Sequence, residues 1–122
     1  MTSQTSTTAA ELSDAAAEAI RQLNHLTRQT DGGLEYPGDA YSTVANLSTL
    51  AMRLPQSLDQ IRVFMDRLGH EGHLRSDNGP GDLATRLEDL REGIAAARRC
   101  AEALHVSLNR AHNALSPIGY AE

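Results

Sequence analysis

Tryptophan is absent from this chain, and phenylalanine occurs only once, at Phe64. With three tyrosines, aromatic residues make up 3% of the sequence. Any hydrophobic core must therefore be built from Leu, Ala, Ile, Val and Met. Sheet proteins draw on β-branched and aromatic side chains, so this composition favours closely packed helices over a β-sandwich.

Lysine is also absent, since all 11 basic residues are arginines. Together with abundant alanine, this bias is typical of proteins encoded by GC-rich bacterial genomes. The 122 residues fit one domain, and their formal net charge is −5. A general nucleic-acid binder presents an excess of basic side chains to phosphates, so we expect no nucleic-acid partner.

Cysteine occurs once, at Cys100, which excludes an internal disulfide and fits a reducing compartment. No segment approaches the roughly 20 apolar residues that span a bilayer. Residues 1–10 show neither the basic nor the apolar part of a signal peptide. We therefore expect a cytoplasmic protein without a membrane partner.

The first 40 residues combine a polar tail with one amphipathic helix. Residues 1–7 are small and polar, which predicts a disordered tail. Thr8 and Glu11 have the spacing of a capping box, so a helix is predicted over about residues 9–30, ending at Asp31-Gly32-Gly33. Its expected inward positions are Leu12, Ala16, Ala19, Ile20, Leu23 and Leu26.

The second predicted helix begins at Asp39 as its N-cap and carries a heptad pattern. Its apolar positions are Ala40, Val44, Leu47, Ala51, Leu54, Leu58, Ile61, Met65 and Leu68. The pattern passes through Pro55 without a change of phase, which favours one helix kinked at the proline. The competing interpretation is that Pro55 opens a separate helix.

A glycine-rich loop over residues 69–81 precedes the last helix, which we expect to begin at Pro80 or Asp82 and to end at Ser116-Pro117. Its heptad positions are Leu83, Leu87, Leu90, Ile94, Ala97, Ala101, Leu104, Leu108, Ala111 and Leu115. Leu87 and Leu104 are expected to be buried. The predicted fold is an all-α, elongated antiparallel bundle of three long helices, with one domain over residues 8–118 and a short tail over 119–122.

Few side chains are arranged as a site for chemistry. His70 and His73, with Asp77 and Asp82 downstream, are the most metal-like group, but flanking glycines make a solvated polar loop the better interpretation. Cys100 is interpreted as a half-buried structural cysteine. Because phosphate-binding loops, catalytic triads and the paired Glu-x-x-His motifs of a di-iron bundle are absent, we expect no cofactor, no bound metal and no enzyme activity.

Two features favour association with another protein. Ala97 and Ala101 are small residues within a leucine-rich heptad, where another helix or a bulky side chain such as Phe64 could approach closely. Three apolar residues fall outside the heptad positions and form a candidate partner surface together with those alanines: Met52, Val63 and Val106.

The leading hypothesis is therefore a non-catalytic helical interaction module, either an adaptor, a regulator or an assembly component, that can self-associate. An alternative is a bundle that binds a small apolar ligand near Ala97 and Ala101. A weaker alternative is a metal-dependent enzyme that uses His70 and His73.

Overall fold

The computed structural model describes residues 6–28 and 32–121. Most of the predicted tail over residues 1–7 lies outside this part of the chain. The predicted helix end at Thr30 and Asp31 of its stop signal also lie outside it, as does the last residue of the predicted C-terminal tail.

Within residues 6–28 and 32–121 the chain is all-α, with three helices and no strand. The helices are α1 (Ala9–Thr27), α2 (Pro37–His70) and α3 (Pro80–Leu115). This confirms the predicted fold class. The chain divides into two compact units, Met1–Ala40 with Gly119–Glu122 and Tyr41–Ile118, and each is described by itself.

In the first unit, α1 begins with the predicted capping box. The Glu11 N–H donates to the Thr8 hydroxyl at 3.1 Å, and the Thr8 N–H donates to the Glu11 carboxylate at 3.1 Å. No residue of α1 is buried, so its expected inward positions remain half-buried or exposed. The Tyr36 and Tyr120 rings of this unit meet edge to face, with centroids 5.5 Å apart.

Helix α2 begins at Pro37, two residues before the expected N-cap Asp39. Proline suits the first helical position because its missing N–H has no partner there. The Asp39 carboxylate accepts the N–H groups of Tyr36 and Glu35 at 3.0 and 2.9 Å. These two hydrogen bonds lower the pKa of Asp39.

Helix α2 continues through Pro55 as one element of 34 residues. The interpretation as a single helix is correct, and the alternative of a separate helix starting at Pro55 is wrong. The helix ends where the Gly72 N–H bonds the Gly69 carbonyl and the His73 N–H bonds the Leu68 carbonyl, at 3.2 and 3.0 Å. This hydrogen-bond pattern requires a left-handed residue, and Gly72 supplies it with a φ of 73°.

In the second unit, α2 and α3 pack antiparallel. The Tyr41 ring, near the start of α2, stacks on the His112 ring, near the end of α3, with centroids 4.1 Å apart. At the other end, Arg91 of α3 bonds Asp66 of α2 at 3.3 Å. The buried residues of this unit lie on the two facing helices: Ser48, Ala51, Ile94 and Ala101.

Near the His112 end of the pair, the residues in contact differ by one position from the predicted heptad pattern. Ser48, not Leu47, is buried on α2, and His105, not Leu104, bonds it from α3. Leu104, which was expected to be buried, is 47% exposed. Polar side chains pair with each other at this point of the contact, where Leu47 is half-buried and Leu104 is exposed.

Helix α3 begins at Pro80 and ends at Leu115, within the predicted limits. Near its start, the Asp82 carboxylate accepts hydrogen bonds from the Ser76 hydroxyl at 2.5 Å and from Arg86 at 3.0 Å. The Ser76 bond is the main cause of the lowered pKa of Asp82, with a further contribution from Arg86.

The difference between Ile94 and Leu104 can be tested by truncation. Ile94→Ala should lower the free energy of unfolding by about 2–5 kcal/mol, because Ile94 is only 8% exposed. Leu104→Ala should cost less than about 1 kcal/mol at low protein concentration. Urea unfolding of both variants checks this. Equal losses in the free energy of unfolding would indicate that Leu104 is buried in the contact.

The hydrogen bonds of Asp82 predict a pH-dependent effect. A carboxylate whose pKa is lowered in the folded state stabilises it above the unfolded pKa, and this contribution is lost as the pH falls through the folded pKa. Asp82→Asn should therefore be less stable than wild type above about pH 5, with the difference shrinking below about pH 4. Urea unfolding across this range measures it, with Asp77→Asn in the same loop as a control of little effect.

Candidate interaction surface

One side of the α2–α3 pair is joined by ion pairs. Arg98 bonds Asp59 across the two helices at 2.5 Å, and Arg91 bonds Asp66 in the same way at 3.3 Å. Arg98 also bonds Glu102 at 2.9 Å; this hydrogen bond, and then the charge of Asp59, raise the pKa of Arg98. We call this the ion-paired side.

The opposite side of the pair follows from helix geometry. Leu54 and Ile61 precede Asp59 and Asp66 by five residues, which is about 140° around an α-helix. On α3, Ala97 and Leu104 stand in the same relation to Glu102 and Asn109. Because the two helices touch along one line, these residues share the side away from the ion pairs. We call it the open apolar side: Leu50, Leu54, Ile61, Phe64, Ala97 and Leu104.

Large side chains on the open apolar side are exposed. Ile61 and Phe64 are 50% and 48% exposed, and Leu50 and Leu54 are each a little over a third exposed. Single apolar residues at a surface are ordinary, but a contiguous group on one side of a helix pair is typical of a binding surface.

A polar layer lies in the α2–α3 contact, about two helical turns from the Tyr41–His112 pair. The Ser48 hydroxyl donates to the Asn109 Oδ1 at 2.7 Å, and the His105 Nδ1 donates to the Ser48 carbonyl at 3.0 Å. The Asn109 amide donates to the His105 Nε2 at 3.2 Å, which closes the network. Ser48 is 4% exposed, so these bonds satisfy polar groups that would otherwise be costly to bury.

The same network does not have the geometry of a nucleophile and its base. A carbonyl oxygen only accepts, so the His105 Nδ1 carries the proton and cannot take one from the Ser48 hydroxyl 3.1 Å away. The hydroxyl proton is already donated to Asn109. We therefore interpret the layer as a determinant of helix register, as buried polar pairs are in coiled coils.

The candidate surface expected from the sequence is divided between different sides of the helix pair. Met52 and Val63 lie toward the ion-paired side of α2, and Val106 lies toward that side of α3. Ala97 lies on the open apolar side and is exposed, whereas Ala101 is 6% exposed and lies between the helices.

The expected surroundings of Cys100 and of the alanines need correction. Cys100 is exposed, not half-buried, and it lies at the edge of the open apolar side, four residues before Leu104. Phe64 is too exposed to fill the space at Ala101. Ala51 and Ala101 are both buried between α2 and α3, and their small side chains allow the helices to approach closely within one chain.

The loop histidines do not come together as a metal site. In the described ranges, no three His, Cys, Asp or Glu side chains are close enough to hold an ion. Glu71 pairs with Arg67, and Asp77 pairs with Arg75. None of the helices described is both long and apolar enough to cross a membrane.

Sequence reasoning missed the open apolar side because it assigned Leu54, Ile61 and Leu104 to the core. The signal was present: Leu50 and Phe64 widen the apolar pattern beyond the two positions per heptad that one partner helix covers. Comparison with known protein families, with curated proteins and with solved structures gives no match for this chain.

The polar layer predicts coupled effects of mutation. Ser48→Ala should lower the free energy of unfolding by about 0.5–1.5 kcal/mol, because the Asn109 Oδ1 loses the hydroxyl that donates to it, whereas His105 keeps the Ser48 carbonyl and the Asn109 amide. Asn109→Ala should cost less in the Ser48→Ala background than in wild type, which urea unfolding of the four proteins measures. Ser107→Ala, at an exposed position of α3, is the control. Strictly additive losses would mean that the layer does not act as a unit.

Proposed function

We propose that this protein is a non-catalytic interaction module that binds a helical partner through its open apolar side. The exposure of Ile61, Phe64 and Leu104 on one side of a helix pair carries this proposal. An amphipathic helical surface is the partner chemistry that fits, because it can lay apolar side chains along the shallow groove between two helices.

The two sides of the pair differ in what they offer a partner. On the ion-paired side, the charges of Asp59 and Asp66 are already neutralised by arginines of α3, so a partner gains little there. On the open apolar side, contact removes aliphatic surface from water, which contributes roughly 25 cal/mol per Å² buried. The favourable surface for association is therefore the apolar one.

The alternatives have weaker support in the described residues. A small apolar ligand at Ala97 and Ala101 needs both residues at one opening, but one is exposed and the other lies between helices. A metal enzyme at His70 and His73 needs further ligands near them. We also propose the cytoplasm as the compartment, because the exposed thiol of Cys100 stays reduced there.

A matched pair of variants tests the proposed surface. Ile61 and Val63 are 50% and 54% exposed on the same helix, but they face different sides. When tagged wild type and tagged Val63→Glu are expressed in the native cells and purified, both should be recovered in the same stoichiometric complex. Ile61→Glu should lose it while keeping its helical circular dichroism spectrum, because a carboxylate is costly to bury in an apolar contact.

Loss of the complex in both variants, or in neither, would contradict the assignment of binding to the open apolar side. Recovery of a stoichiometric small apolar molecule in place of a protein would favour the ligand-binding alternative.

A further inference from the structure

The open apolar side is uneven in height. Between the Asp59–Arg98 and Asp66–Arg91 ion pairs, α2 presents the exposed side chains of Ile61 and Phe64. At the same level, α3 presents only Gly93 and Ala97. Each helix pair therefore carries a ridge on α2 beside a hollow on α3.

This shape is complementary to itself. A second copy related by a two-fold axis parallel to the helices packs its α3 against α2 of the first chain, and its α2 against α3. The rotation does not change the height of any residue along the helix axes. Ile61 and Phe64 then meet the partner's hollow, and the reverse contact forms at the same time, as an isologous dimer requires. We infer that a second copy of this chain covers the open apolar side, an inference that rests on the proposed function.

Charge at the edges favours the same arrangement. Arg67 lies two residues before Gly69, and Asp89 lies two residues after Leu87. Gly69 and Leu87 are on the α2–α3 contact, so Arg67 and Asp89 each lie about 200° around the helix from it. A methyl group at Gly69 would lie 3.7 Å from the Leu87 Cδ1, so the two residues are at one level. Within one chain, Arg67 and Asp89 point away from each other. In the dimer, Arg67 of each chain, which pairs with Glu71 of its own chain at 3.8 Å, also lies beside Asp89 of the other chain.

The size of the surface fits a dimer in exchange with its monomer. Along α2, the open apolar side runs from Leu50 to Phe64, which covers about 21 Å, and two packed helices are about 20 Å wide. The resulting face of about 400 Å² is about half of the roughly 800 Å² that each partner buries in a standard interface. Sedimentation should therefore depend on protein concentration.

An engineered cysteine tests both the dimer and its geometry. Ser57 precedes Asp59 by two residues and Cys100 follows Arg98 by two, so they share one level. Their Cα atoms are about 12 Å apart within a chain, because both residues face away from the α2–α3 contact. A disulfide needs less than about 7 Å. In the proposed dimer, Ser57 of one chain faces Cys100 of the other.

Ser57→Cys should therefore form a covalent dimer with oxidised glutathione, visible on a non-reducing gel. Gln56→Cys, on another face of α2, and wild type should remain single chains. Failure of Ser57→Cys to crosslink overturns the proposed geometry. So does efficient crosslinking of wild type through Cys100 alone, because it would require α3 to meet α3.

Charge reversal provides a second measurement that needs no crosslink. Arg67→Asp and Asp89→Arg should each weaken the dimer, and the double variant should recover it, as followed by analytical ultracentrifugation. Ile61→Glu should weaken it by about tenfold or more, whereas Val63→Glu should not.

A monomer at all concentrations refutes the second copy as the occupant. If Ile61→Glu then still abolishes a complex with another protein, the proposed function stands and only the identity of the partner is wrong. If Cys100 in that monomer is also protected from a thiol reagent, a segment of the same chain covers the surface, and both proposals fail.

Discussion

The register of α2 against α3 is the constraint on which the second unit depends. Two small residues, Ala51 and Ala101, let the helices approach, and the Ser48–His105–Asn109 layer fixes how they are aligned. A slip of one turn would leave Ser48 buried without partners, at a cost of about 1–3 kcal/mol. The same alignment brings Asp59 to Arg98 and Asp66 to Arg91, so it also decides which side is neutralised by ion pairs.

This register determines what remains outside. Because Ser48 and His105 occupy positions on the contact line, the apolar residues next to them cannot all face the neighbouring helix. Leu54, Ile61 and Leu104 are displaced to the far side from the ion pairs. Polar groups in a helix contact give up hydrophobic burial and gain specificity of alignment. In this protein the apolar side chains that are displaced from the contact form the open apolar side.

Local features could be predicted from the sequence, and the helix contact could not. The capping box of Thr8 and Glu11 and the glycine at the end of α2 each involve residues that are close in sequence, so both can be predicted from the sequence alone. The unbroken apolar phase also identified α2 as one helix through Pro55. The pairing of Ser48 with His105 joins residues 57 positions apart, and each looks like a surface residue in its own heptad. Their partnership, and the displacement of the leucines, depends on tertiary alignment.

The buried residues of the second unit connect its stability to its association. They are two alanines, a serine and an isoleucine, and heptad leucines such as Leu58, Leu87 and Leu108 are only half-buried, so the pair buries less apolar surface than fully buried leucines would. A helix pair with so small a core gains stability from any partner that binds the folded form, in proportion to the logarithm of the partner's concentration. Covering Ile61, Phe64 and Leu104 therefore both completes the core and makes a complex. For this architecture, folding and binding draw on the same apolar residues, and a change on the open side alters the two together.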